Sequence, residues 1–455
     1  PRSSLYNLSG KTEVLNGDEI LERWMQQLKS LENMDSYCKN VFQFDSHQLE
    51  KWGPQGEVAP ISDLLEEVVY PTFSRSDSHP VAFRTKEWKM AKRCVVRCLH
   101  NAGAKGLSPV PYQSVVDDMR ARDTLESNSG WPLFTRRNKP EVIKQSIQEA
   151  ENGLWKTYPA IALFRNYNRK TRLVWMFPMS ANLVEGSFFQ PLQSTLMKCP
   201  RTGKTQVVRD FLSPWTGFEE VRHVITERYK AEDKYYLAAS DFSSTDAHFQ
   251  LATSMEVFDV IKECFQPRFR DALRESIQYM HQIPLVIGRD SMLTGEHGVS
   301  SGSNWTNFIE TIFDWILGYY VDYLTHGQHY ALYAIGDDMS WASHEYDEHF
   351  ADLLAKVGED VGQEIKADKT TNDPDKVKSL QRLFQRDWLR PDGEIKAVYS
   401  TVRALKSLVY PERFHNPELW TKDMEAIRDF MILENCIDHP LFEEFCKFVA
   451  AGDPH

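Results

Sequence analysis

The sequence predicts a fold that mixes strands and helices, because strand-like and helical patterns occur close together in the same part of the chain. Aromatic and branched residues at 330–335 and 339–342 are typical of two neighbouring strands. A further strand-like run at 234–240 leads directly into an aspartate. Apolar residues recur at three- and four-residue steps over 305–320, which indicates a helix with one buried face. Periodicity alone therefore predicts a mixture of strand and helix.

Length and composition indicate a globular protein with more than one subdomain. The chain has 455 residues, of which 42% are hydrophobic, enough for several cores. Its net charge of -12 is unusual for a protein that binds nucleic acid, but basic clusters occur at 84–105 and 136–144. A positively charged channel is compatible with a negative total charge.

Two further features restrict the compartment in which the protein works. No apolar run approaches the roughly 18 residues that a membrane span needs, and no signal peptide opens the chain. The seven cysteines are scattered without a paired framework, which favours a reducing compartment. These features predict a protein that works without a membrane, in the cytosol or inside a particle.

The most informative segment joins the two strands at 330–335 and 339–342. Gly336 supplies the turn, and Asp337 and Asp338 follow it at once. Because neighbouring side chains on a strand point to opposite faces, one aspartate can face a metal while the other assists from the side. Taken alone, the segment is equally compatible with an acidic turn or with the metal-binding strand end of a nucleoside triphosphatase.

A second pair of carboxylates lies upstream. Asp241 ends the strand-like run at 234–240, and Asp246 follows five residues later, where it can face the same pocket. Between the two acidic segments, the small-residue loop at 297–307 runs into the predicted helix. On their own, the two aspartates could also be solvated turn residues.

Together these segments resemble the palm motifs of viral RNA-dependent RNA polymerases. They match Asp-x4-Asp, Ser-Gly-x3-Thr and Gly-Asp-Asp, known as motifs A, B and C, in the family's order. The residues of segments 240–246 and 300–308 are most similar to those of picobirnavirus polymerases, with partitivirus polymerases next. The resemblance implies an α+β fold with the right-hand architecture of fingers, palm and thumb, closed by contacts between fingers and thumb.

The resemblance extends from about Ser129 to about Phe384. The basic segment 165–174 is similar to motif F, which covers the incoming triphosphate, and 129–132 resembles motif G, which guides the template. Beyond the aspartate hairpin, 367–369 resembles motif D and 380–384 resembles motif E.

The resemblance also implies a set of site residues. Asp241 and Asp337, supported by Asp338, are expected to bind two Mg²⁺ ions, with Mn²⁺ as an alternative. These three aspartates are also the expected catalytic residues, together with Lys369, the proposed proton donor to pyrophosphate. The expected nucleotide-binding residues are Arg165, Lys170, Arg172, Asp246, Ser301, Gly302, Thr306 and Asn307. The expected RNA-binding residues are Ser129, Gly130 and Pro132.

One position departs from the family pattern and affects ribose recognition. Many members carry an asparagine four residues after the motif B threonine, where this chain has Glu310. Asn307, directly after Thr306, is therefore our choice for the second ribose-sensing residue. Asp246 is the first, because a carboxylate can accept a hydrogen bond from a 2′-hydroxyl and so favour ribonucleotides.

The resemblance implies partners, location and subdomains. The partners are an RNA template and product strand, ribonucleoside triphosphates and the interior of a viral capsid, and the locations are the virion interior and the host cytoplasm. We expect an N-terminal extension at 1–60 that bridges fingers and thumb, fingers at 61–233, a palm at 234–384 with a fingers insertion at about 255–290, and a thumb at 385–455.

Two other functions stay open at this level. A nucleoside triphosphatase requires a Gly-x4-Gly-Lys-Ser/Thr phosphate loop, which the sequence lacks. A catalytically silent RNA-binding or assembly protein could retain the polymerase fold, although the intact acidic motifs argue against it. An RNA extension assay separates the active enzyme from the silent protein.

Overall fold

The computed structural model describes residues 5–6, 15–56, 59–74, 79–412, 416 and 418–453. Parts of the expected N-terminal extension (1–4, 7–14, 57–58), fingers (75–78) and thumb (413–415, 417, 454–455) lie outside the described residues.

The helices of the described part are, in chain order, α1 Gly17–Leu28, α2 Ser36–His47, α3 Ile61–Leu64, α4 Tyr70–Ser74, α5 Lys86–Asn101, α6 Tyr112–Ala121, α7 Pro140–Asn152, α8 Met179–Lys198, α9 Gln206–Phe211, α10 Ser213–Thr216, α11 Phe218–Lys230, α12 Thr245–His248, α13 Leu251–Ile261, α14 Arg270–Met280, α15 Trp305–Leu324, α16 Phe350–Asp360, α17 Thr401–Val409, α18 Lys422–Glu434 and α19 Phe442–Gly452. The strands are β1 Ala160–Tyr167, β2 Lys170–Met176, β3 Tyr236–Asp241, β4 Leu285–Gly288, β5 Ser291–Leu293, β6 His329–Ile335, β7 Asp338–Ser343, β8 Thr371–Asn372, β9 Lys376–Ser379, β10 Arg382–Leu389 and β11 Ile395–Tyr399. Within the described residues, no helix combines the length and the apolar character that a membrane span requires.

A four-stranded antiparallel sheet of order β6-β7-β3-β8 forms the centre of the molecule. Alternate residues of β3 enter two different cores: Ala238 packs into the core that contains α15, whereas Leu237 and Ala239 pack into a second one. Because both faces of the sheet are covered, a slip of one residue in the pairing would move every side chain of β3 into the wrong core. The register of this strand is therefore strongly determined. The predicted α+β fold is thus confirmed, with an antiparallel sheet that carries the aspartates and a helix behind it.

A second sheet of order β2-β1-β4-β5 lies beside the first. β1 and β2 form a long hairpin in which Tyr167 pairs with Lys170 at the turn. β4 pairs in parallel with β1 through Ala160 and Leu285. The segment between β3 and α15 therefore contributes two strands, β4 and β5, to this second sheet.

The N-terminal helices pack against the C-terminal part of the chain in a core of their own. Trp24 of α1 lies 4.8 Å from Phe445 of α19, measured between ring centroids. Asp45 of α2 is fully buried, and its carboxylate lies 2.8 Å from His439 and accepts a hydrogen bond of 2.7 Å from Thr401. These contacts tie two ends of the sequence together.

Two local expectations differ from the structure at element boundaries. The strand-like run at 234–240 begins its pairing only at Tyr236. The helix expected from the stripe at 305–320 continues to Leu324, because apolar residues continue beyond Tyr320. The segments that carry Asp241, Asp337 and Asp338 lie in the elements that the sequence predicts.

Candidate active site

The turn between β6 and β7 carries Asp337 and Asp338. Gly336 has φ +55°, a backbone conformation that glycine adopts without strain, and its N–H donates to the Thr311 hydroxyl at 3.0 Å. Ile335 pairs with Asp338 across the turn. The tip of the hairpin is therefore held against helix α15.

β3 brings Asp241 to the same place. In the antiparallel pairing of β3 with β7, Asp241 lies opposite Asp338, and the N–H of Phe242 donates to the Asp337 carbonyl at 3.1 Å. Three carboxylates from two distant segments thus converge at the ends of two neighbouring strands, as the sequence predicts.

These carboxylates interact unfavourably with one another in the absence of a cation. Burial, together with the charges of Asp337 and Asp241, raises the pKa of Asp338 to about 7. Burial and the neighbouring Asp241 also raise the pKa of Asp337. A bound cation would relieve this repulsion and stabilise the ionised forms.

The donor set suits a hard divalent cation. Carboxylate oxygens are the ligands that Mg²⁺ prefers, and it keeps substrate oxygens and waters in its shell, so few protein ligands suffice. Within the described residues, no group of three acidic, histidine or cysteine side chains is arranged so that it could hold a metal ion by itself. We conclude that the residues fit a metal that shares its coordination with substrate, rather than a closed structural site.

Asp246 lies close enough to Asp337 for the two charges to interact. The chain turns at Ser244, whose φ is +51°, and enters the short helix α12. Burial and the charge of Asp337 raise the pKa of Asp246 to about 6, although Arg172 acts in the opposite direction. A Cβ atom on Gly298 would lie 1.7 Å from the Asp246 carbonyl oxygen, so the loop before α15 packs directly against this turn.

The loop before α15 is anchored to strand β2. The Ser301 hydroxyl donates to the Leu173 carbonyl and accepts from the Trp175 N–H, both at 3.3 Å. A Cβ on Gly302 would lie only 1.6 Å from the Trp175 carbonyl oxygen. The Thr306 hydroxyl donates to the Ser300 carbonyl at 2.6 Å. In this structure, these three residues hold the loop in place.

Asn307 and Glu310 lie beside the aspartate turn. The Asn307 amide nitrogen and a Glu310 carboxylate oxygen are 3.3 and 3.6 Å from the position of a Cβ on Gly336. Burial raises the pKa of Glu310 well above its usual value, and Asp246 and Asp337 raise it further. Both candidates for the ribose-sensing position are therefore close to the aspartates.

One acidic residue behind the hairpin was missed in the sequence. Asp314 is fully buried in α15, and neither of its carboxyl oxygens has a hydrogen-bond partner among the described residues. Burial, followed by Glu310, raises its pKa well above the usual value. The sequence contains a signal for this residue, because the acid stands within the otherwise apolar run 312–317 of the predicted helix.

The basic residues of the β1–β2 hairpin divide into two groups. Arg172 acts electrostatically on Asp246 and Asp337, and Lys170 acts on Asp241. Arg165 instead donates to Glu412 at 2.7 Å, so a carboxylate in the expected thumb already engages its charge. The structure therefore brings Lys170 and Arg172 to the carboxylates, but not Arg165.

Two further lysines face Asp241. Lys369, in the short 3₁₀ turn Ala367–Lys369, is the first of the cations that lower the pKa of Asp241, although burial raises that pKa overall. Lys51 of the N-terminal region also lowers it. Lys51 belongs to no recognisable motif, and only the tertiary structure reveals its position.

The expected template loop has a buried part and an exposed part. Ser129 is buried, and a Cβ on Gly130 would lie 2.6 Å from the Phe177 carbonyl oxygen. Pro132 is exposed and follows Trp131, which is 39% exposed. The loop thus packs against the chain between β2 and α8 and presents its tip to solvent.

Buried polar groups connect this loop with the start of α15. Arg137 donates to the Asn182 side chain at 2.9 Å, and Asn182 donates to Glu185 at 2.9 Å. Glu185 also accepts from the Asn304 N–H at 3.0 Å. Burial raises the pKa of Glu185 to about 7 although these donors favour its ionised form.

Comparisons with known proteins agree with this geometry. A family model described as viral RNA-dependent RNA polymerase matches residues 167–436. A curated protein of a human picobirnavirus (strain Human/Thailand/Hy005102), named potential RNA-dependent RNA polymerase, is 25% identical over 480 residues, which cover 98% of this chain and 83% of the relative.

Solved structures show the same fold. The crystal structure of a human picobirnavirus RNA-dependent RNA polymerase superposes with a TM-score of 0.79 at 23% identity, and the match covers 97% of this chain and 82% of that one. An insertion-loop deletion mutant of such a polymerase gives the same TM-score and identity, over 99% and 86% of the two chains.

Proposed function

Because this chain belongs to the viral RNA-dependent RNA polymerases, it copies an RNA template into complementary RNA in viral genome replication and transcription, and we propose that Asp241, Asp337 and Asp338 mark its reaction centre. The family resemblance inferred from the sequence motifs is confirmed. The observation that carries the proposal is the pairing of Asp241 with Asp338 in adjacent strands.

The reaction joins a ribonucleotide to the growing RNA strand. The 3′-hydroxyl oxygen attacks the α-phosphorus, a new phosphodiester bond forms, and the bond to the pyrophosphate leaving group breaks. Two divalent ions, Mg²⁺ or alternatively Mn²⁺, when bound by the three aspartates, would activate the attacking hydroxyl and neutralise the leaving oxygens. Asp241 and Asp337 would be the direct ligands, supported by Asp338.

Neighbouring cations complete the proposed reaction centre. Lys170 and Arg172 offset the charge of the triphosphate, Arg172 with two parallel hydrogen bonds and Lys170 as a point charge. Lys369, which faces Asp241, donates a proton to the leaving pyrophosphate. Arg165 could join them only after it leaves Glu412.

Ribose recognition is assigned to the residues around Asp246. Its carboxylate accepts a hydrogen bond from the 2′-hydroxyl, and Asn307 is placed beside the aspartate turn to contact the same sugar. Ser301, Gly302 and Thr306 contribute by holding the loop that supports Asp246.

The RNA strands and the cellular setting follow from the same function. We propose that the loop with Ser129, Gly130 and Pro132 guides the template, because its exposed tip carries an aromatic ring on which a base can stack. We also propose that the enzyme works in the host cytoplasm and inside the virion, against the inner surface of the capsid.

We propose the subdomain division 1–60, 61–233, 234–384 and 385–455 as the N-terminal extension, fingers, palm and thumb. The separate core formed by the N-terminal helices and the C-terminal region supports the bridging role of the extension. The pairing of β4 with β1 supports a fingers insertion within the palm, at about 255–290.

The decisive experiment is RNA synthesis by purified wild type and an Asp337→Asn variant on defined RNA templates, with each metal in turn. We expect the substitution to reduce incorporation by roughly 10³-fold or more, since a metal site supplies several kcal/mol of transition-state stabilisation. Binding of RNA should stay nearly unchanged, because little channel charge is lost.

The matched control is Asp352→Asn, which removes an exposed carboxylate of α16. Near-normal extension by Asp337→Asn, or an equal loss in the control, would contradict the assignment. Absence of synthesis by the wild type under all metals would instead favour the catalytically silent protein.

A further inference from the structure

A polar cavity of about 420 Å³ lies between helix α17 and the tip of the β1–β2 hairpin. Its wall includes Tyr167 and Asn168 from the hairpin, Arg403 and Lys406 from α17, and Gln381 from the β9–β10 turn. The cavity is thus formed where the expected fingers, palm and thumb meet. Its volume lies in the range of about 300–1,000 Å³ that is usual for small-molecule sites.

Two cations of this wall lack a carboxylate partner among the described residues. Lys406 is only 4% exposed, and its amine donates to the Asn168 side chain. The Arg403 Nε atom is buried and has no hydrogen-bond partner there, and its Nη1 lies 3.5 Å from Gln48. In the part of the chain that the structure describes, neither side chain forms an ion pair.

The other charged residues of the wall already have partners. Arg428 lies 3.9 Å from both Glu425 and Asp429 and donates to a backbone carbonyl. Glu412 accepts from Arg165. Arg403 and Lys406 are therefore the cations of the wall that can meet an incoming anion.

These two cations are connected electrostatically with the reaction centre. Burial, together with the positive charges of Arg403 and Lys51, lowers the pKa of Lys406 to about 8. Lys51 in turn interacts with Arg403, Lys170 and Asp241. A series of mutually repelling cations thus connects the cavity with Asp241, and an anion bound among them would relieve the repulsion.

We propose that this cavity is a phosphate-binding site, in which Lys406 and Arg403 hold the oxygens of a polyphosphate or a phosphodiester on the thumb side of the reaction centre. The inference rests on the proposed function, because nucleotides and RNA are the phosphate compounds that the enzyme handles. The flat guanidinium matches two phosphate oxygens at once, and the lysine adds a compact charge.

A purely structural role for Lys406 is the competing explanation. Its bond to Asn168 helps to hold the hairpin tip against α17, and a bond of 2.9 Å from the Gly56 N–H to the Asn166 carbonyl holds the same hairpin against the N-terminal region. A neutral amide would serve that purpose at less cost, since a buried charge without a counter-charge is destabilising. Lys406→Gln keeps a donor for Asn168 and removes only the charge.

The test is titration calorimetry of the full chain with inorganic triphosphate and, separately, with a 5′-hydroxyl RNA oligonucleotide. Lys406→Gln and Arg403→Gln are compared with Lys422→Gln, which removes an exposed thumb lysine outside the cavity. We expect each cavity variant to weaken binding of one or both probes by at least about tenfold or to remove one bound equivalent, because a charged hydrogen bond to phosphate is lost. The control should bind like wild type.

The two probes distinguish the sources of phosphate. A loss confined to inorganic triphosphate assigns the cavity to a nucleotide, and a loss confined to the oligonucleotide assigns it to the RNA backbone. Wild-type affinity and stoichiometry for both probes in both cavity variants would overturn the proposal. If Lys406→Gln does not fold, the half-buried Arg403 carries the test alone.

Failure of the proposed function gives a different result. Asp337→Asn leaves the cavity unchanged, so it should retain the cavity-dependent binding whether or not it can extend RNA. An inactive wild type that still shows the difference between Lys406→Gln and Lys422→Gln would refute the polymerase centre and leave the phosphate site standing.

Discussion

Asp246 is the carboxylate to which we assign selection of the sugar rather than a part in the chemical step. It interacts with Asp337 on one side and with Arg172 on the other, and the loop at Gly298 packs on its backbone. The pairing of β3 with β7 holds Asp241 opposite Asp338, whereas Asp246 follows a turn and lies outside that pairing. This position suits contact with the sugar.

We predict that Asp246→Ala lowers the preference for ribonucleotides over deoxyribonucleotides by about 10- to 100-fold, the worth of a hydrogen bond to a charged group. The measurement is the ratio of kcat/KM for the two sugars on one template. The exposed Asp290 provides a control, Asp290→Ala. A ratio equal to that of wild type would remove Asp246 from sugar recognition.

Lys369 has an electrostatic contact with Asp241 from an exposed turn. We predict that Lys369→Leu slows the chemical step by about 10²–10⁴-fold, as expected for loss of a general acid, with unchanged nucleotide affinity. Single-turnover kinetics separate the two quantities. Lys366→Leu, three residues earlier in the same exposed segment, should behave like wild type. Equal single-turnover rates for Lys369→Leu and wild type would exclude the role.

At the level of elements, the contact between the loop before α15 and strand β2 sets the position of the proposed nucleotide-binding residues. Gly302 permits an approach that any side chain would block, because a Cβ atom at this position would overlap the Trp175 carbonyl oxygen. Gly298 permits a similar approach to Asp246. These glycines are explained by close backbone packing.

We predict that Gly302→Ala forces the loop away from β2, costs about 1–3 kcal/mol of stability and strongly reduces RNA synthesis. Thermal unfolding and extension assays measure the two effects. Gly288→Ala is the matched control, because a Cβ there would lie 3.9 Å from its nearest neighbour, an ordinary contact. Normal activity of Gly302→Ala would show that the loop can shift without affecting the site.

For the whole molecule, the fully buried Asp45 connects the N-terminal helices with the C-terminal region. Its oxygens are shared by His439, Thr401, Ser400 and the N–H of Val402. These donors would remain buried without an acceptor if the carboxylate were removed. The connection therefore stabilises the arrangement that encloses the site.

We predict that Asp45→Ala destabilises the protein by about 3–5 kcal/mol, because several buried donors lose the carboxylate that accepts their hydrogen bonds. A lower melting temperature should be accompanied by faster proteolysis of the N-terminal region. Asp63→Ala, which removes an exposed carboxylate, is the control. An unchanged melting temperature would show that the two regions are held by apolar packing alone.

Much of the site was predictable from local sequence. The strand on either side of Gly336, the turn itself and the strand before Asp241 depend on residue types and alternation within a few positions, and the structure contains each of them. The family motifs additionally predicted that Asp241 would approach Asp337. Local patterns could not predict the exact strand start at Tyr236, since pairing partners decide where a ladder begins.

The sequence by itself determined which segments carry the acidic and basic groups, because strands, turns and helical stripes are encoded by near neighbours. Only the tertiary structure decided that Lys51 faces Asp241, that Arg165 is engaged by Glu412, and that Arg403 and Lys406 share a cavity. Each of these contacts joins segments far apart in the chain. Their positions depend on how the cores pack, and this packing cannot be predicted from local sequence patterns.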